Sequence, residues 1–81
     1  MDIKNTATLM ASSDYKDRFK AEYAQLSIRT EKLKSMLERL DAGTLPFTPD
    51  TPKDMLEGQL TAMTEYLRIL GERARIENVD L

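Results

Sequence analysis

The chain carries two apolar stripes of one kind, separated by a segment that holds all three of its prolines. In the first stripe Phe19, Tyr23, Leu26, Leu33, Leu37 and Leu40 recur at alternating steps of four and three, with Thr30 filling the one polar gap. The second repeats the pattern with Leu56, Leu60, Met63, Leu67, Leu70 and Ala74. Steps of four and three keep side chains on one face of an α-helix, whereas a half-buried strand needs steps of two. Two such helices with a short link between them turn back on each other, so the expected fold is all-α, an antiparallel helical hairpin.

End signals divide the chain further. The first helix is expected over 13–41, with Ser12 or Ser13 as cap, Asp14 at the positive end of the helix dipole, and Arg39 and Gly43 at its close. The second is expected over 52–76, where Thr51 caps, Pro52 occupies the first turn and Asp54 reaches back as a capping box. Residues 1–12 form an amino-terminal arm, 42–51 a connector and 77–81 a tail with little to hold it. Each proline biases the residue before it, Leu45, Thr48 or Thr51, toward extended backbone, which makes the connector semi-rigid. Phe47 is expected to pack back over the open end of the hairpin.

A hairpin of 81 residues buries little on its own. With no cysteine and no histidine, disulfides and the usual metal sites are excluded, and self-association is the remaining route to stability. Met55, Ala62, Ile69 and Ile76 supply a surface for it, repeating every seven residues beside the second stripe, while Ile28 and Met36 lie off the first. The expected state is a homo-oligomeric helix bundle. A net charge of -2 and the lack of a long apolar run argue against a nucleic-acid polymer or a membrane as partner, and a cytoplasmic location is expected.

Catalysis is not expected. Histidine and cysteine are missing, no Walker-type loop, nucleophile elbow or zinc spacing occurs, and the carboxylates have cations at helical spacing, as in Glu65 and Arg68. No cofactor or metal is called for. What remains are basic and aromatic residues that track the stripes. Arg18, Glu22, Arg29 and Lys32 lie beside the first, and Gln59, Tyr66 and Arg73 form a heptad row beside the second. In the ordinary account their stems cover helix contacts and their charges pair between chains. In the functional account Arg18, Arg29, Lys32 and Arg73 hold phosphates, Tyr15, Phe47 or Tyr66 stacks on a base, and Thr48 adds hydrogen bonds.

Specific motifs add to this reading. Arg18-Phe19-Lys20-x-Glu22-Tyr23, Arg29-x-x-Lys32-Leu33-x-x-Met36-Leu37, Leu45-x-Phe47-x-Pro49, Leu56-x-x-Gln59-Leu60-x-Ala62-Met63-x-x-Tyr66 and Leu70-x-x-Arg73-Ala74 span most of the chain beyond the arm. The pattern resembles a family of small helical-hairpin proteins of tailed phages and prophages, crAss-like phages among them. More loosely, the arrangement is similar to phage sponge proteins that sequester the nucleotide signals of CBASS and Thoeris defence. The resemblance implies a non-catalytic anti-defence protein, acting in the infected bacterial host. It would bind a cyclic oligonucleotide or a cyclic ADP-ribose type of signal at sites between protomers. The alternative is an interaction or regulatory module whose exposed apolar helix face engages a host or phage protein.

Overall fold

The computed structural model describes residues 14–81, so the arm assigned to 1–12 and the candidate caps Ser12 and Ser13 lie outside the described residues. Helix α1 runs Tyr15–Ala42 and helix α2 runs Lys53–Glu77, and the two pack along each other as a hairpin. No strand occurs among the described residues.

Both stripes face inward. Phe19, Leu37, Leu56, Leu70 and Ala74 are buried, and Tyr23 and Leu26 pack half-buried against the cluster of Phe19, Leu70 and Ala74. Leu70 has no exposed surface and is the largest side chain so enclosed among the described residues. Thr30 takes a buried stripe position without penalty, because its hydroxyl donates to the Leu26 carbonyl one turn back at 2.7 Å.

The helix ends correct the sequence reading in three places. The cap of α1 is Asp14 itself, whose carboxylate accepts from the Lys16 amide at 2.8 Å and so satisfies one of the free first-turn N–H groups. At α2 the cap is Pro52, with no side-chain cap bond. That places Thr51 one residue too early and puts Met55, which has no carboxylate, at the third helical position where a capping box needs its acid. Asp54 instead accepts from the Met55 amide at 2.9 Å. Lys53 ties this end down, pairing with Asp41 at the end of α1 and with Glu57 at 3.7 Å.

The third correction concerns the tail. Asn78 adopts the left-handed conformation, φ 57°, and the Val79 amide donates back to the Ala74 carbonyl at 2.8 Å. This wrap lays Val79 on Ala74, and Val79 joins the core at 6% exposure, the helix-closing contact that such a turn favours. The Lys16 ammonium donates to the Asn78 carbonyl at 3.1 Å, fastening the tail to the start of α1. Gly43 closes α1 as expected, at φ 74°, with the Thr44 amide bonded to the Arg39 carbonyl at 2.9 Å. Phe47 does not cover the end of the hairpin: the residue is 56% exposed.

Candidate functional site

The first two turns of α1 and the last turns of α2 meet at the end of the hairpin away from the connector. Phe19 points into the core there, and Tyr15, one turn earlier, meets its ring edge-on, with centroids 6.3 Å apart at 77°. From α2 the Arg73 guanidinium lies over the Phe19 ring, 5.0 Å from its centroid, a cation–π contact that holds the charge at the surface. Its Nε–H donates to Glu77 at 2.9 Å, which leaves the terminal N–H groups outside that bond. Arg18 and Glu22 stand on the adjoining face of α1. Together Tyr15, Arg18, Phe19, Glu22 and Arg73 line an open hollow of about 440 Å³.

Glu22 is held by the Tyr66 hydroxyl, which donates to its carboxylate across the two helices. This bond, helped by partial burial and by the negative charge of Glu22, raises the Tyr66 phenol above its ordinary value of 10.0, while Arg73 acts the other way. Two guanidinium groups and two carboxylates, Glu22 in the lining and Glu77 on the Arg73 Nε–H, make the hollow a mixed-sign site beside an exposed aromatic edge. It can accept an anion and a flat ring together. Among the described residues a second hollow, about 390 Å³, is lined by Lys20, Tyr23, Ala24, Asp80 and Leu81, where one cation faces one carboxylate. The first hollow offers an anion two guanidinium forks, the second a single ammonium.

The eight predicted ligand residues divide into groups. Tyr15, Arg18 and Arg73 share the hollow, and Tyr66 joins it through Glu22. Arg29 is exposed on the same flank of α1 as Arg18 and Glu22, seven residues on from Glu22 and so about 10 Å along the axis. Lys32 is exposed further along and further round. Phe47 and Thr48 sit in the connector at the opposite end of α1, whose 28 residues make it about 42 Å long. Within one chain they do not meet the hollow. Sequence reasoning left Phe19 and Glu22 out of the ligand set, although both stand in the Arg-Phe-Lys-x-Glu-Tyr motif. The signal that finds them is the four-residue spacing Tyr15–Phe19 and Arg18–Glu22, which stacks each pair on one face.

Comparison with known proteins adds a family. Residues 13–76 match the family model described as Sequestin. The chain belongs to the Sequestin family. No curated protein and no solved structure matches it. The family name fits a sequestering protein, one that binds a ligand and holds it. No helix among the described residues is long and apolar enough to cross a membrane, and no cluster of acidic side chains there could hold a metal ion.

Proposed function

We propose that this Sequestin-family chain is a phage anti-defence protein that binds a small nucleotide immune signal and withholds it from a host effector, without chemical change. The observation that carries the reading is the hollow of Tyr15, Arg18, Phe19, Glu22 and Arg73, where two guanidinium groups flank an exposed aromatic edge. Its volume of about 440 Å³ lies within the range of small-molecule sites, roughly 300–1,000 Å³. Arg18 and Arg73 hold phosphate oxygens by forked N–H donors, and Arg29 and Lys32 extend the positive field along the flank. Tyr15 stacks on the base. Glu22, acceptor-only when ionised, takes a hydroxyl or amino donor of the ligand and tells a nucleotide from bare phosphate. The sequence offers no histidine or cysteine for proton transfer or nucleophilic attack, which suits a binder.

The test is a thermal-stability panel of cyclic oligonucleotides and cyclic ADP-ribose isomers. A ligand at 100 times its Kd adds about 2.7 kcal/mol to the bound fold. The expected result is a rise in Tm for one class of signal, abolished by Arg73→Ala. A panel in which no member moves Tm overturns the reading.

A further inference from the structure

We propose that two copies of this chain pair antiparallel through the exposed row of α2, so that the connector of each closes the hollow of the other. The inference rests on the reading of that hollow as the ligand site. Met55, Ile69 and Ile76 are 65%, 42% and 68% exposed, and Ala62 between them is exposed as well. Their seven-residue spacing is that of a seam between paired helices, and from Met55 to Ile76 it runs about 31 Å. Gln59, Tyr66 and Arg73 each stand four residues beyond a member of this row. On the helix surface they lie between the exposed row and the buried stripe. A helix seated on the row is therefore a wall of the hollow.

The row fits a second copy of itself in one direction. Laid antiparallel about the midpoint between Glu65 and Tyr66, Met55 faces Ile76 of the second copy and the small Ala62 faces the large Ile69, filling both levels. Laid parallel, Ala62 faces Ala62 and leaves a gap. The flank beside the row does not oppose pairing. Glu65 is neutralised by Arg68 at 2.6 Å and Glu72 by Arg75 at 3.0 Å, so a mixed-sign edge meets its own copy across the two-fold. A hairpin in which Leu70 is the one fully enclosed large side chain among the described residues also gains core by pairing. In this pairing the connector end of each copy lies against the Tyr15 and Asn78 end of the other. Phe47 and Thr48, exposed and distant from the hollow in their own chain, then reach the hollow of the partner copy.

The chain has no cysteine, so cross-linking reads the arrangement directly on the full-length protein. Met55→Cys mixed with Ile76→Cys should give a disulfide-linked dimer under mild oxidation, at twice the 9.3 kDa chain mass, while neither variant cross-links alone. Phe47→Cys mixed with Tyr15→Cys should likewise join through a short bis-maleimide, each thiol adding to one maleimide ring. A monomeric native mass by light scattering, or Met55→Cys dimers formed alone, overturns the pairing. Absence of the second cross-link beside the first overturns the part given to the connector. None of these readouts uses a ligand, so a silent nucleotide panel beside positive cross-links removes the ligand reading and leaves the pairing supported.

Discussion

At Gly43 the backbone turns out of α1 with φ 74°, and nothing lies within 4 Å of the place a Cβ would occupy. A substitution there meets no clash, so its whole effect is the left-handed backbone. Gly43→Ala should lower stability by about 1 kcal/mol in urea unfolding. Leu70 is the opposite case, since it is enclosed on all sides and its loss leaves a cavity. Leu70→Ala should lower stability by about 2–5 kcal/mol, enough to melt most of the helical circular dichroism signal of so small a domain. Tyr66 gives a pH signature. Its folded phenol is raised above the ordinary value by the bond to Glu22, so the folded state holds the proton more tightly. The stabilisation is then full below the ordinary phenol range and is lost as pH rises through the raised folded value. Tyr66→Phe should remove that alkaline step from a plot of Tm against pH, while a step unchanged in the variant would assign it to another group.

At the scale of elements, α2 does not end where its stripe ends. The turn at Asn78 carries Val79 into the core, and Lys16 of α1 donates to the Asn78 carbonyl. Val79→Ala removes two buried methyl groups and should lower stability by about 2 kcal/mol. A loss below the error of thermal unfolding would mean that the tail does not contribute. This explains why the helices were legible and their ends were not. The four-and-three spacing of Leu56 through Ala74 sums over many residues and tolerates local exceptions such as Thr30. The caps depend on one residue each, and a frame shift of one moved the cap from Thr51 to Pro52. Val79 was missed because one valine in ENVDL carries no periodicity, and only the left-handed turn at Asn78 brings it inward. Of the eight candidate ligand residues, Tyr15, Arg18 and Arg73 meet at one hollow and Tyr66 reaches it through Glu22, because each flanks a stripe on the side where the helices face each other. Phe47 was misread because aromaticity alone does not reveal whether a stiff connector holds a ring in or out.

For the whole molecule, the two exposed features lie at different places on one thin hairpin: the hollow at one end, the connector at the other. A row of Met55, Ala62, Ile69 and Ile76 runs between them along α2. The isologous pair proposed above would make two equal sites, and each ligand would contact both chains. Ligand binding should therefore raise the stability of the dimer against dilution as well as against heat. The proposed role is capture without conversion. The most direct test loads the protein with the nucleotide that raises its Tm, removes free ligand by gel filtration, denatures the complex and identifies what is released. Recovery of the chemically intact nucleotide at one per hollow is expected, with near-complete loss of retention in Arg73→Ala. Release of a cleaved or rearranged product, or retention unaffected by Arg73→Ala, would contradict it.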